Sequence, residues 1–514
     1  MSRTLLLTGH DLTRRDFADV VLGGRRVTLH SEARRAMRAS RQVVERMIHE
    51  RRLVYAVTTG VGSLSTEHID PAQARELQLN VVRSHCCGVG EPLDVAEMRG
   101  LLLLRANTLA AGLSGIRPRV AELLCEMLNR RLHPVVPSRG SVGASGDLAP
   151  LAHMARTLVG EGEVTVDANL GPRTKPVSAG LALRRAGLEP LVLEAKEGIS
   201  LVNGTQVMLS LGLIALSQGE ILMDTADVAG SLSLDALRGS PVAFDERLHR
   251  ARPHPGQIET ARNLERLNRG STIRESHRDC ARVQDAYSLR CMPQVHGSVR
   301  DALGFARQTF EIEMNSGTDN PLVFAAEREV LSGGNFHGQP VATALDLMAI
   351  ALTQLGGISE RRTDRMVNPL TSDLPPFLAG SPGLESGLMM AQVTAAALAS
   401  ENKVLAHPAS VDSIPTSGNK EDYVSMGMTA ALKLKQIVAN IASILAIELL
   451  TASHALDCLT PLKTGHLAMR AKRLVRSVSP PLRADRAHAP EIARVREQVL
   501  RGKYARVLKS KIAD

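Results

Sequence analysis

Large aromatic side chains are nearly missing from this sequence: among 514 residues there is no Trp, with 4 Tyr and 7 Phe. A core without rings is filled by Leu, Ala, Val, Ile and Met, which favours close helix packing. The scarcity also counts against a base-stacking surface of the kind that holds single-stranded nucleic acid. The formal charge is +9, but the excess gathers between Arg470 and Lys511 around one ring, Tyr504. The expectation is a solvated basic helical end and no nucleic-acid partner.

Cysteine is scarce too. Cys86, Cys87, Cys125, Cys280, Cys291 and Cys458 show no paired ligand spacing, and adjacent Cys86-Cys87 suit neither a CxxC zinc site nor an ordinary disulfide. Free thiols in a reducing cytosol are expected. The start, Met1-Ser-Arg-Thr-Leu-Leu-Leu, has no long apolar h-region and no small-residue cleavage site. No 18 apolar residues follow one another without interruption, so no membrane span is expected. The most apolar stretch, Ile437 to Leu450, contains Asn440, Ser443 and Glu448 and reads as a buried bundle helix.

What is present is apolar and periodic. Apolar residues make up 44% of the chain, enough for a sizeable core. Thr4 to Thr8 reads as a strand, and Val20 to Leu29 around Gly23-Gly24 as a small hairpin. Residues 31–52 carry helical spacing, with Ser31 and Glu32 as the N-terminal signal. Helices are predicted near 71–83, 95–113 and 120–129, and 167–190 reads as a basic surface excursion. Beyond Leu191 long helical patterns dominate: 200–227, 295–314, 340–366, 387–405 and 422–455. At about 1.5 Å per residue each is roughly 25 Å or longer. They predict a mainly α fold with a long-helix bundle over 196–470. A smaller N-terminal domain covers 1–195, and the basic helical C-terminal end 471–514.

Between Pro134 and Pro150 the chain turns Gly-, Ser- and Pro-rich, and Gly143-Ala144-Ser145-Gly146-Asp147 has almost no side-chain bulk. Such backbone bends sharply. One reading is a loop gripping a phosphate at a helix N-terminus. No Gly-x-x-x-x-Gly-Lys-Ser/Thr match and no incoming strand support it. The other reading is a turn so compressed that the Gly146 amide nitrogen reaches the Ala144 carbonyl carbon. Cyclisation then gives an imidazolone ring, and water loss from Ser145 a methylidene. In that case Asp147 bonds to the compressed turn, and Pro150 opens the next helix.

The words of the segment separate these readings. Gly140-Ser-Val-Gly-Ala-Ser-Gly-Asp-Leu-Ala-Pro-Leu-Ala-His153 closely resembles the signature of the histidine and phenylalanine ammonia-lyase family. The resemblance runs from about Leu5 to about Lys463. It implies that Ala144, Ser145 and Gly146 form the 4-methylideneimidazol-5-one group (MIO), with no metal or nucleotide. Tyr55-Ala-Val-Thr-Thr-Gly-Val-Gly62 resembles the loop of the catalytic tyrosine. Leu77-Gln-Leu-Asn-Val-Val-Arg-Ser-His85 resembles the block ending in a substrate-side histidine, and Asn203-Gly-Thr-Gln206 the asparagine motif. Gln284-Asp-Ala-Tyr-Ser-Leu-Arg290 resembles the block supplying a glutamine, a tyrosine and a carboxylate-binding arginine. Its spacing puts Gln284, Tyr287 and Arg290 on neighbouring positions of a turn or helix start. Gly334-Asn-Phe-His337 resembles the block with a phenylalanine, Phe336, near the cofactor. Ser400 to Pro408 and Pro415-Thr-Ser-Gly-Asn-Lys-Glu421-Asp are typical of the histidine branch. The family also implies a cytoplasmic homotetramer with active sites shared between subunits.

The implied reaction removes ammonia from an amino acid. The amine leaves poorly and the β-hydrogen is barely acidic. Side chains offer no strong organic electrophile, and a covalent step splits one barrier into easier ones. In the family's chemistry the amine adds to the methylidene derived from Ser145, and Tyr55, as a phenolate favoured by nearby helix N-termini, takes the β-proton. Arg290 holds the carboxylate with its planar fork. Asn203 and Tyr287 add polar contacts, while Gln284 and Phe336 position cofactor and substrate. His85 and Glu421 suit an imidazole, Glu421 also as a proton acceptor, and Met389 matches a methionine that packs on that ring. Against a phenyl ring, each buried unpaired polar group costs about 1–3 kcal/mol. The implied reaction is therefore L-histidine to trans-urocanate and ammonia. Thr58, Cys86-Cys87, Tyr423 and His296 depart from the residues usual in these blocks and bear on the pocket. The alternatives are a tyrosine or phenylalanine ammonia-lyase, a MIO-dependent 2,3-aminomutase and an ergothioneine lyase. From a different class, a non-catalytic helical scaffold or a nucleic-acid-binding protein with a basic tail is opposed by the intact tripeptide with Tyr55 and Arg290.

Overall fold

The computed structural model of the chain describes residues 4–166, 175–278 and 283–510. Their packing forms two compact units, one of residues 1–214, 307–345 and 408–432, the other of 215–306, 346–407 and 433–514.

In the first unit, strands Leu5–Leu7 and Val27–Leu29 pair in parallel, not as the hairpin expected around Gly23-Gly24. Helix Arg14–Val21 intervenes, opened by a capping box. The Thr13 hydroxyl accepts from the Asp16 N–H at 3.1 Å, and the Asp16 carboxylate accepts from the Thr13 N–H at 3.4 Å. Phe17, Val20 and Val21 then share one buried face. Helical spacing thus claims the valines that read as a strand. Helix Ser31–His49 follows as expected, although His30 caps it, its Nδ1 accepting from the Glu32 N–H at 3.2 Å.

Helix Val95–Ala110 is buried on all sides from Glu97 onward, so its sequence shows no amphipathic stripe. Its Arg99 reaches the carbonyls that end two neighbouring helices. Nε and Nη2 donate to Val21 and Val20 at 3.1 and 2.6 Å, and Nη1 donates to Leu128 at 3.3 Å. A guanidinium there meets the negative ends of two helix dipoles.

The strands are short. Val89–Pro92 pairs antiparallel with Pro137–Arg139, which leads directly into the glycine-rich segment. The expectation of no incoming strand is corrected to one of three residues, too short for the sequence pattern to reveal. Of the expected surface excursion, residues 167–174 lie outside the described residues. The remainder forms strand Val177–Ser178 and helix Ala179–Arg185, which buries Ala179, Gly180, Ala182 and Leu183.

The second unit is helical, including Pro255–Asn268, Met389–Leu405, His466–Arg476, Ala489–Leu500 and Lys503–Lys509. Tyr504 in the basic end is fully buried, and its hydroxyl donates to Gln498 Oε1 at 2.7 Å. Four of the five divisions between the units fall within long helices, Gln206–Ala236, Gln339–Val367, Gly427–Asp457 and Met292–Glu313, and the fifth follows His407, beyond helix Met389–Leu405. The first three are long and apolar enough to cross a membrane by length and hydropathy alone, although none is an uninterrupted apolar run. Yet 72%, 61% and 89% of their most apolar windows are buried inside the protein, so that surface serves internal packing.

Candidate active site

The glycine-rich segment forms a tight turn in the first unit. Gly143, Ser145 and Gly146 have φ of +89°, +49° and +78°, and the Gly146 N–H donates to Gly143 O at 3.3 Å. Left-handed backbone is strained at Ser145, which carries a side chain. Gly204 clamps the turn. Its N–H donates to Ser145 O at 3.1 Å, and its carbonyl accepts from the Asp147 N–H at 2.8 Å. A Cβ on Gly146 would lie 2.1 Å from Gly204 O, so only glycine permits that approach. Gly204 is available because the helix expected over 200–227 is broken: Glu197–Val202 ends, and Gln206–Ala236 begins after Asn203-Gly204-Thr205.

Asp147 does not bond to the turn as expected. Its Oδ2 accepts from the N–H groups of Val207 and Met208 at 2.8 and 3.0 Å, amides of a first helical turn that need an acceptor. Burial pushes its pKa up to about 7 against those donors. Pro150 is the third residue of helix Leu148–Leu158 and not its opener, still within the turn whose amides lack helical partners.

Tyr55 is half-buried, and its hydroxyl oxygen accepts from the Gly62 N–H at 3.0 Å. Gly62 rests on a second loop. A Cβ there would meet Ser417 Oγ at 2.5 Å, and the Ser63 N–H donates to that oxygen at 3.4 Å. In this second loop the Thr416 N–H donates to Glu421 O at 3.0 Å, and the Thr416 hydroxyl to Glu421 Oε2 at 2.7 Å. Further along, the Met426 N–H donates to Val142 O at 2.8 Å, and Ser425 Oγ occupies the space a Cβ on Gly143 would need. Residues 416–426 thus join the tyrosine loop at one end to the tripeptide turn at the other.

His85 caps helix Ala74–Ser84, its Nδ1 2.7 Å from Val81 O. A carbonyl only accepts, so Nδ1 carries a proton, and in the neutral ring Nε2 is an acceptor. Next to it, Cys86 Sγ donates to Val82 O at 3.1 Å, and burial pushes its thiol up to about 11, away from a reactive thiolate. Asn203 is 2% exposed, and its Nδ2 donates to Asp319 Oδ1 and Asn320 O, each at 3.2 Å. Its Oδ1 is buried with no hydrogen-bond partner among the described residues. Phe336 is half-buried beside His337, whose Nε2–H donates to Tyr423 O at 3.1 Å and whose ring stacks on that of Tyr423.

The other expected residues lie in the second unit. Tyr287 and Arg290 begin and end the single turn Tyr287–Arg290, with Arg290 Cζ 4.6 Å from the Tyr287 ring centre. Arg290 Nε is buried without a hydrogen-bond partner among the described residues. Gln284 is exposed in the stretch before this turn, and Met389 is half-buried at the start of helix Met389–Leu405.

Two departures from the family's usual residues turn out to serve local structure. Thr58 accepts from the Val54 N–H at 2.9 Å and donates to Arg52 O at 2.8 Å, within its own turn. His296 is fully buried in the second unit, Nδ1 2.8 Å from Asp227 Oδ1 and Nε2 3.3 Å from Arg362 Nη1. Among the described residues no three His, Cys, Asp or Glu group as metal ligands, and Cys86, Cys87, Cys125, Cys291 and Cys458 are free. Cys280 lies outside the described residues. Sequence reading gave no role to Ser417, although it stands inside the Pro415 to Asp422 block, and missed Arg105, which had a signal: a charge directly after Leu101-Leu-Leu-Leu104.

Known proteins resemble the whole chain in sequence and in fold. The sequence matches the family described as aromatic amino acid lyase over residues 12–477. It is similar to a histidine ammonia-lyase of Koribacter versatilis (strain Ellin345), 57% identical and covering 98% of this chain and 99% of that one. The crystal structure of histidine ammonia-lyase from Trypanosoma cruzi superposes with a TM-score of 0.90 at 41% identity, over 99% of this chain and 95% of that one. A tyrosine aminomutase from Streptomyces globisporus superposes with a TM-score of 0.92 at 38% identity, over 99% and 100% of the two chains. With a family match over most of its length, the chain belongs to the aromatic amino acid lyases.

Proposed function

We propose that the protein removes ammonia from L-histidine and leaves trans-urocanate. The observation that carries this reading is the 416–426 segment, which ties the phenol of Tyr55 and the carboxylate of Glu421 to the turn of Ala144, Ser145 and Gly146. The full-length likeness to proteins named histidine ammonia-lyase, at up to 57% identity, supports histidine over tyrosine, phenylalanine or ergothioneine, and a lyase over an aminomutase.

The family is MIO-dependent. The residues here fit that group: the left-handed turn at Ser145, the close Gly146–Gly204 approach and, beside Gly204, an Asn203 Oδ1 without a hydrogen-bond partner among the described residues. It is assigned to Ala144, Ser145 and Gly146, and once formed it supplies the electrophile that ordinary side chains lack. Tyr55 takes the β-proton, and the Gly62 N–H stabilises charge on its oxygen. His85 offers Nε2 as acceptor to an imidazole N–H. Glu421, held by Thr416, bonds the same ring and takes up a proton. Arg290 clamps the carboxylate, Asn203 and Tyr287 add polar contacts, Met389 packs on the ring, and Gln284 and Phe336 position the substrate.

Gln284, Tyr287, Arg290 and Met389 are assigned to sites shared between the subunits of a homotetramer. Supporting assembly, large apolar side chains are exposed: Tyr287 at 69%, Met390 at 64% and Val404 at 74%. The enzyme is assigned to the cytoplasm, where its free thiols stay reduced.

The test is to incubate pure protein separately with histidine, tyrosine, phenylalanine and ergothioneine and to follow ultraviolet absorbance of the conjugated product. Urocanate from histidine is expected, and its absence overturns the substrate. Full activity in Ser145→Ala overturns the cofactor.

A further inference from the structure

Behind Gly204 lies a buried charged cluster that the reaction does not use. Arg105 is fully buried on helix Val95–Ala110. Its Nη1 donates to Asn203 O at 3.0 Å and to Gln206 Oε1 at 2.7 Å, gripping both ends of the helix break. Gln206 Nε2 donates onward to Thr108 and Thr318 hydroxyls at 3.1 and 2.7 Å. Lys196 Nζ, also fully buried, donates to Asp319 Oδ2 at 2.8 Å and Ser200 Oγ at 2.9 Å. Asp319 Oδ1 accepts from Asn203 Nδ2 at 3.2 Å.

Two cations thus face one carboxylate. Arg105 Nε and Nη2 are buried without hydrogen-bond partners among the described residues. A partly satisfied buried guanidinium is a costly way to hold a helix end, which an apolar residue could pack against instead. Its position supplies the reason. A Cβ on Gly204 would lie 2.5 Å from Arg105 Nη1, and a Cβ on Gly146 would lie 2.1 Å from Gly204 O. Arg105, Gly204 and Gly146 form one stack with no room between its layers.

We propose that Arg105, braced by Gln206 and the Lys196–Asp319 pair, is a positioning residue that presses the Gly204 peptide onto Ser145 and Gly146 and holds the turn closed for cyclisation. The inference rests on the cyclisation reading above. In that step Gly146 N bonds to the Ala144 carbonyl carbon. The carbonyl oxygen leaves as water with the amide protons of Gly146 and Ser145. Ser145 then loses its hydroxyl and its Cα hydrogen as a second water, and no oxidant is needed. An amide nitrogen is a weak nucleophile, so enforced proximity is the contribution a scaffold can make.

The test follows intact mass over time after a pulse of expression, with circular dichroism reporting the fold. The wild type should lose two waters. Folded Arg105→Met should lose them at least tenfold more slowly, about 1.4 kcal/mol in barrier. Arg105→Lys should recover part of the rate, because it keeps the charge and a donor. Gly204→Ala keeps every charged group but inserts a Cβ into the stack; it should slow the loss likewise and decides the matter if Arg105→Met does not fold. Two-water loss at the wild-type rate in folded Arg105→Met, or in Gly204→Ala in its place, overturns the inference and leaves cyclisation standing. A wild type that never loses two waters overturns the cyclisation reading, and this inference with it.

Discussion

Asp147 ties the tripeptide turn to a long helix through two backbone bonds, and burial raises its pKa to about 7 from an ordinary 3.8. The folded state therefore holds this proton more tightly than the unfolded chain. The resulting stability is fully present below about pH 4, declines as pH rises and is lost by about pH 7, by at most about 4 kcal/mol. Asp147→Asn has no such titration. The unfolding free energy of the wild type, measured in denaturant against this variant, should therefore fall between about pH 4 and pH 7 and then level off. A constant difference would contradict the assignment. At this scale the words that carry the expected site were legible, although Gln284, Tyr287, Arg290 and Met389 fall in the other unit. Tyr55, Ser145, Asn203 and Glu421 stand inside recognisable words, and the structure places all four in one unit. The partner of the Asp147 carboxylate was not legible, because it lies 60 residues away on an element whose start the sequence did not mark.

Helices were legible where their apolar period ran unbroken, as in Gln339–Val367 and Gly427–Asp457. Their interruptions were not. Asn203-Gly204-Thr205 sits within a strongly helical pattern, and the break there is held from outside by Arg105, Asp319 and Ser145. The same scale explains His296, which in sequence resembled a pocket substitution. It joins helices Gln206–Ala236, Met292–Glu313 and Gln339–Val367 inside the second unit through Asp227 and Arg362. Arg362 in turn pairs with buried Glu448 at 2.5 Å, and Arg300 with Asp227 at 2.5 Å. Burial lowers the His296 pKa, which suits a neutral ring that donates to one neighbour and accepts from the other. Replacing it with Leu leaves two buried charges short of a bond. His296→Leu should cost on the order of 2–4 kcal/mol in urea unfolding while leaving substrate preference unchanged. A changed preference would return His296 to the pocket.

At the scale of the whole molecule, helix Met389–Leu405 buries little more than Ala391, Ala395 and Asn402, while Met390, Val393 and Val404 stand exposed. An apolar helix with so much uncovered surface fits a subunit interface. Charging that face in a Met390→Glu, Val404→Glu double variant should lower the mass seen by light scattering from that of the proposed tetramer to fewer copies, with helicity retained and activity lost. An unchanged tetramer would place the interface elsewhere.

By itself the sequence determined which family this chain resembles, and with it the expected chemistry, while its backbone freedom alone also allowed a phosphate-binding loop. A word such as Gly143-Ala-Ser-Gly-Asp147 is local, and local backbone freedom follows from the residues present. It also determined the helical character, because period and length are one-dimensional properties. Only the tertiary structure decided that residues 416–426 link the tyrosine loop to the turn, that Gly204 closes on Gly146, and that Arg105 stands behind it. Those contacts join segments tens to hundreds of residues apart. Each exists because packing leaves no space for even one added methyl group, and no linear pattern encodes that distance.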